Sequence, residues 1–178
     1  MGFFDIPVDN LTALPVIYPY LKERYGKRNL AIVSPDVGGV ERARALATRL
    51  DAPIAVIDKR RSPPGQVAEM RVVGDVGGKL CIILDDIIDT GGTICKAAET
   101  LRKEGAEGVL AVCSHPVFSG DALARLEEAA LEELICTDSI PVEEARALSS
   151  LTVLTVAPLF AEGIRRIYNE DSISSLLR

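Results

Sequence analysis

The sequence predicts an α/β fold, a mostly parallel sheet flanked by helices, in one domain over residues 1–178. Three observations predict it. Short unbroken apolar runs recur along the chain, and such runs mark strands buried on both faces. Stretches with helical spacing stand between them, so strand and helix alternate as βαβ units. The composition of the 178 residues, 48% hydrophobic and 26% charged, suits a globular domain with a sizeable core.

The elements follow in order. No element is assigned ahead of Leu30. Leu30 to Ser34 is the first apolar run and the first strand. Gly38 to Leu50 is a helix with Val40, Ala43, Leu46, Ala47 and Leu50 on one face. Ile54 to Ile57 is the second strand. Asp58 to Gln66 is basic and rich in Pro and Gly, so it reads as an exposed loop. Glu69 to Lys79 carries Gly74, Gly77 and Gly78 and reads as a hairpin or flag. Leu80 to Leu84 is the third strand and Thr93 to Lys103 the helix after it. Gly108 to Cys113 is the fourth strand, followed by a helix from Asp121 to Glu132. Leu134 to Cys136 and Leu151 to Val156 are further strands, and Pro158 to Tyr168 is a closing helix.

Several function classes are excluded at this level. A formal net charge of −6 argues against a non-specific nucleic-acid binder, so any polyanion site must be local. No apolar run approaches the ~20 residues that span a bilayer. The start, Met1-Gly2-Phe3-Phe4-Asp5, lacks the basic region and apolar stretch of a secretion signal, and a cytoplasmic location is expected. The four cysteines, Cys81, Cys95, Cys113 and Cys136, form no CxxC pair and read as reduced buried thiols. A single histidine, His115, excludes a His-rich zinc site.

In parallel sheets ligands bind outside the carboxyl ends of the strands. Three stretches with suitable chemistry lie there. Asp85-Asp86-Ile87-Ile88-Asp89-Thr90-Gly91-Gly92-Thr93 leaves the third strand and opens a helix. Glycines that expose backbone N–H groups, hydroxyl donors and an electropositive helix start suit a phosphate. Asp85 and Asp86 beside that cradle suit sugar hydroxyls or a nearby Mg²⁺, and a ribose 5-phosphate satisfies both halves. Ser34-Pro35-Asp36-Val37-Gly38-Gly39 leaves the first strand in the same way. Asp36, Val37, Gly38 and Gly39 could hold a diphosphate, with Asp36 against its Mg²⁺. Asp58-Lys59-Arg60-Arg61 places three cations after the second strand, where mobile positive charge would neutralise a transferring phosphoryl group.

The acidic loop resembles the phosphoribosyl diphosphate loop of type I phosphoribosyltransferase folds. The wider set of motifs is more specific. Gly2 to Leu11, SPDVGGVERARALATRL, DKRR, GDVGGK, DDIIDTGGT, SHPVFSG and the tail NEDSISSLL resemble, in order, the ribose-phosphate pyrophosphokinases. That resemblance covers essentially the whole chain, Gly2 to Leu177. It implies Mg²⁺-dependent transfer of diphosphate from ATP to the 1-hydroxyl of ribose 5-phosphate. It implies Lys59 as the catalytic lysine and Arg61 as a catalytic residue that also contacts ribose 5-phosphate. Asp85 and Asp86 would bind the ribose, and Asp89, Thr90, Gly91, Gly92 and Thr93 the 5-phosphate. Asp36 would be a Mg²⁺ ligand, with Asp5 and Asp9 as further metal candidates. Ser172 and Ser174 match a regulatory region.

The family carries a second, similar domain ahead of this one, so the chain is expected to correspond to the C-terminal half. Its expected partners are ribose 5-phosphate and ATP, and other subunits as a homo-oligomer or the N-terminal domain; no nucleic acid or membrane is expected. A second reading is a non-catalytic regulatory or assembly module of the synthetase-associated type. A nucleobase phosphoribosyltransferase would need a base-recognising hood, for which no segment is a candidate.

Overall fold

The computed structural model describes residues 3–59, 70–142, 145 and 148–176. Twelve elements follow one another: α1 (Leu14–Tyr25), β1 (Leu30–Ser34), α2 (Val40–Leu50), β2 (Ile54–Lys59), β3 (Met70–Val73), β4 (Leu80–Ile88), α3 (Gly92–Lys103), β5 (Gly108–Pro116), α4 (Ala122–Glu128), β6 (Glu133–Thr137), β7 (Leu151–Leu154) and α5 (Ala157–Tyr168). They build one seven-stranded sheet in the order β3-β2-β1-β4-β5-β6-β7. Every neighbouring pair is parallel except β2 with β3, which is antiparallel. The expected parallel α/β sheet is therefore present, with one antiparallel strand closing an edge.

The apolar runs are buried as their continuity requires. All five residues of β1 are buried, as are Leu80 to Leu84 of β4. Alternate side chains enter two cores. Ile32, Ile82, Leu84, Leu110 and Ile135 meet α1 and α2 on one face. Val33, Ile83, Val109, Ala111 and Cys113 meet α3 and α4 on the other. All four cysteines are free thiols, and burial pushes the Cys136 thiol up to about 12.

Several boundaries differ from the sequence reading. Helix α1 was not expected, because Pro15 and Pro19 break its pattern. Pro15 occupies its first turn, where no N–H is needed, and Pro19 lies inside it. Leu14, Ile17, Leu21 and Tyr25 still fall on one buried stripe. The packing of that stripe outweighs the hydrogen bond lost at Pro19. Strand β2 runs to Lys59, so Asp58 and Lys59 belong to a strand and not to the basic loop. Their backbones pair with Arg71 and Met70 of β3. Residues 60–66 of that expected loop, Arg61 included, lie outside the described residues.

Strands β4 and β5 run four and three residues further than the apolar runs suggest. The cause is mutual pairing, with Asp85 opposite Cys113, Ile87 opposite His115 and Ile88 opposite Pro116. Helix α4 stops at Glu128 rather than Glu132. Ala130 takes a left-handed φ of 48°, which turns Leu131 into the core and lets Glu132 N–H donate to Val109 O at 2.9 Å.

At the amino ends of the strands, α1 is anchored through a buried acid. Glu133 is 4% exposed. It accepts hydrogen bonds from Tyr20 (2.6 Å), Tyr25 (2.5 Å) and Thr152 (2.5 Å). Burial, reinforced by the Glu133 hydrogen bond, raises the Tyr25 phenol to about 12. A buried carboxylate is tolerated where its oxygens are satisfied in this way.

Candidate functional site

After β1 the chain moves outward to β2 and β3, then returns to the other side of β1 as β4. The loops leaving β1 and β4 therefore diverge, one to α2 and the other to α3 on the opposite face. A crevice at such a reversal is where open α/β sheets bind ligands. Residues 34–39 and 85–93, both singled out from sequence, meet at this crevice.

On the β1 side, Ser34 Oγ donates to Asp36 O at 2.6 Å, and Gly39 N–H donates to Asp36 Oδ1 at 2.9 Å. A Cβ on Gly39 would lie 2.7 Å from Ser34 Oγ, so a larger residue there would push the Ser34 hydroxyl off Asp36 O. On the β4 side, Gly91 takes a left-handed φ of 73°, and a Cβ there would sit 3.2 Å from Leu126 Cγ. Neither α2 nor α3 has a side-chain hydrogen bond at its N-cap. Val40 N–H reaches back to Val37 O at 3.4 Å; among the described residues, the other first-turn amides of the two helices are left to solvent or to an anion.

The acidic pair is differentiated by its surroundings. The Asp85 side chain is 18% exposed and that of Asp86 54%. Burial pushes the Asp85 carboxyl up to about 6, helped by the hydrogen bond with the Asp86 side chain and the negative charges of Asp86 and Asp36. Partial burial opposes ionisation of Asp86 as well. The hydrogen bond from Asp85 and the charge of Arg42 override it and hold Asp86 below the usual carboxylate range. The pair can therefore share one proton. Arg42, on the first turn of α2, bridges the two loops, 2.8 Å from Asp86 Oδ2 and 3.8 Å from Asp85 Oδ1. Sequence reasoning missed it, because Glu41-Arg42-Ala43-Arg44 reads as an ordinary solvated helix face.

The loop from Asp89 to Thr93 is braced by the chain after β5. Ser119 N–H donates to Asp89 O at 3.1 Å, the Ser119 hydroxyl donates to the Asp89 carboxylate, and Arg125 donates to Thr90 O at 3.3 Å. His115 pairs instead with Ser139, its Nδ1 lying 2.9 Å from Ser139 Oγ. Beside the crevice, toward α1, a cavity of about 610 Å³ opens between Leu11, Leu14, Arg42, Asp86, His115 and Phe160.

The remaining expected residues fall elsewhere. The Lys59 backbone ends β2, next to β1, and its side chain is outside the described residues. Asp5 and Asp9 are exposed on the N-terminal segment. Among the described residues, no three His, Cys, Asp or Glu side chains gather as a cation cage. Ser172 and Ser174 are joined by a 3.1 Å hydrogen bond on a tail turn that folds against Arg166, which donates to Ser172 O at 3.0 Å. No hydrogen bond or ion pair among the described residues links that turn to the crevice.

The donor chemistry at the crevice suits Mg²⁺. This ion takes hard oxygens and is commonly held by one or two carboxylates together with substrate phosphates, without an all-protein cage. Asp36 ends the β1 turn, and its charge is felt at Asp85. The carboxylates of Asp36, Asp85 and Asp86 thus form one acidic surface beside two uncapped helix starts.

Comparison with known proteins bears on this geometry. Residues 59–178 match the family model described as the phosphoribosyl synthetase-associated domain. The chain is 51% identical over 176 residues to a ribose-phosphate pyrophosphokinase of Rhizobium meliloti (strain 1021), covering 98% of this chain and 57% of that protein. It is 52% identical over 175 residues to the enzyme of that name from Listeria ivanovii, covering 98% and 55%. The chain thus spans a little over half the length of the curated relatives it matches. The phosphoribosylpyrophosphate synthetase of Mycobacterium smegmatis superposes with a TM-score of 0.87 at 43% identity, over 95% of this chain and 55% of that one. A purine phosphoribosyltransferase of Pyrococcus horikoshii Ot3 superposes with a TM-score of 0.51 at 28% identity, over 61% and 74%. The fold is that of the type I phosphoribosyltransferases.

Proposed function

Because this chain belongs to the phosphoribosyl synthetase-associated domain family, we propose that it supplies the ribose-5-phosphate and diphosphate loops of a ribose-phosphate diphosphokinase. The reaction joins ATP and ribose 5-phosphate. The 1-hydroxyl oxygen bonds to the β-phosphorus, the bond from that phosphorus to the bridging oxygen breaks, and AMP leaves. The hydroxyl proton passes to solvent or a basic group.

The observation that carries this reading is the meeting of two uncapped glycine-rich helix starts and a differentiated carboxylate pair at one switch point. The amides of Thr90 to Thr93 would donate to the 5-phosphate. Arg42 lies 2.8 Å from Asp86 and 3.8 Å from Asp85, so Asp85 would be the less tightly held carboxylate to accept ribose hydroxyls. Residues 36–39 would hold the diphosphate of ATP. Lys59 and Arg61 would bring positive charge to it as the β-phosphoryl group transfers, because positioning and charge neutralisation supply most of the catalysis in such reactions. Mg²⁺ held by Asp36, with Asp5 and Asp9 as weaker candidates, would neutralise the diphosphate when bound.

The same reading extends to partners and location. Phe160, Ile164, Ile167 and Tyr168 expose apolar surface at helical spacing on α5, which supports association with other subunits or a further domain. The net charge of −6 argues against non-specific binding of nucleic acid. The free cysteines support a reducing, cytoplasmic setting. Ser172 and Ser174 remain proposed regulatory residues. Phosphorus NMR of the chain with ATP, ribose 5-phosphate and Mg²⁺ tests the activity. Signals of phosphoribosyl diphosphate and AMP support it. Saturable binding of ribose 5-phosphate without turnover, on the chain combined with a full-length relative's N-terminal half, would favour an assembly module.

A further inference from the structure

Resting on the reading of residues 89–93 as the 5-phosphate loop, we propose that Ser119 is a positioning residue that fixes that loop in its anion-receiving shape. The SHPVFSG stretch that contains it has no part in the chemistry described above. Its backbone turns beneath the end of β4. Val117 and Phe118 N–H both donate to Ile88 O, at 3.0 and 3.1 Å, and Ser119 N–H donates to Asp89 O at 3.1 Å. Arg125 of α4 takes Thr90 O at 3.3 Å. Three successive carbonyls, of residues 88, 89 and 90, are therefore held from outside the loop.

A trans peptide is planar, with its N–H opposite its C=O. Holding the carbonyls of 88, 89 and 90 on one side turns the amides of Asp89, Thr90 and Gly91 to the other. This arrangement gives an anion a row of donors leading into the uncapped start of α3. The Ser119 hydroxyl adds a second effect. It donates to the Asp89 carboxylate and so ties the loop's own negative charge to the brace. A loose carboxylate beside a bound phosphate would repel it. Phe118 adopts a left-handed φ of 48°, uncommon for a bulky residue, and packs against the core. Backbone strain of this kind persists only where the surroundings hold it.

The test uses amide hydrogen exchange on ligand-free protein, comparing wild type, Ser119→Ala and Ser119→Thr, with ribose 5-phosphate titrations alongside. In Ser119→Ala, protection should fall about tenfold at the amides of Phe118, position 119 and Cys95, while Ile83 and Val112 in the sheet keep theirs. Ser119→Thr, which retains the hydroxyl, should restore it. The Kd for ribose 5-phosphate should weaken about tenfold in Ser119→Ala and recover in Ser119→Thr. Unchanged protection at the three amides in Ser119→Ala would overturn the proposal. So would equal losses across β4 and β5, which would make Ser119 a general stability residue. If wild type fails to bind ribose 5-phosphate, the phosphate-loop reading falls, and the exchange pattern still decides whether Ser119 shapes the loop.

Discussion

Replacing Asp85 by asparagine should stabilise the protein at alkaline pH while removing its ligand. The Asp85 carboxyl titrates at about 6 in the fold, against about 3.9 in an unfolded chain. Its folded value is raised, so stability is fully present below the unfolded value and is lost as pH rises through about 6. A separation of about two pH units corresponds to about 3 kcal/mol at most. The side chain is 18% exposed and shares its proton with the more exposed Asp86, so about half of that, ~1.5 kcal/mol, is the working figure. Asparagine carries no charge to desolvate. Asp85→Asn should therefore unfold about 3–6 °C above wild type at pH 8. The gain should shrink through pH 6 and vanish near pH 4. Thermal melts at these pH values, in chelator to exclude divalent cations, measure it. A variant no more stable than wild type at pH 8, or a gain independent of pH, would mean that Asp85 burial does not raise its carboxyl.

Other outcomes follow from particular contacts. Gly91→Ala must hold a left-handed φ of 73° and crowd Leu126. It should cost about 1–2 kcal/mol by urea denaturation and weaken ribose 5-phosphate at least tenfold by calorimetry. Glu133→Ala strands two tyrosine hydroxyls and Thr152 below the sheet. It should cost about 2–4 kcal/mol in urea, and Glu133→Gln less, with ribose 5-phosphate affinity of the folded protein unchanged. Lys59→Ala should lower turnover far more than ribose 5-phosphate affinity; equal losses in steady-state rate and calorimetric Kd would remove Lys59 from the transfer step.

Much of the architecture was legible because it rests on continuous apolar runs. Leu30 to Ser34 and Leu80 to Leu84 are buried on both faces, as continuous apolar runs of strand length between helical stretches predict. The resemblance to ribose-phosphate pyrophosphokinases, drawn from the ordered motifs, is borne out by the relatives at 51–52% identity. What escaped depends on tertiary partners. Helix α1 hides behind Pro15 and Pro19, and its stripe makes sense only against the sheet and Glu133. The extensions of β4 and β5 arise because Asp85 to Ile88 pair with Cys113 to Pro116, mixed polar and apolar residues whose strand character comes from each other. Of the candidate site, the glycine turns and the carboxylates were readable, since their chemistry is carried by residue type and spacing. Arg42, Ser119 and Arg125 were not. They lie in sequence far from the residues they hold, and each resembles any surface arginine or loop serine until the fold brings it to Asp86, Asp89 or Thr90.

On the function proposed, this crevice receives a sugar phosphate through Asp85 and the loop after β4. Isothermal titration of ribose 5-phosphate, with and without Mg²⁺, on wild type and Asp85→Ala measures it most directly. Saturable one-site binding by wild type that is lost in Asp85→Ala is the predicted result. A well-folded wild type that takes up no ribose 5-phosphate under either condition would contradict it.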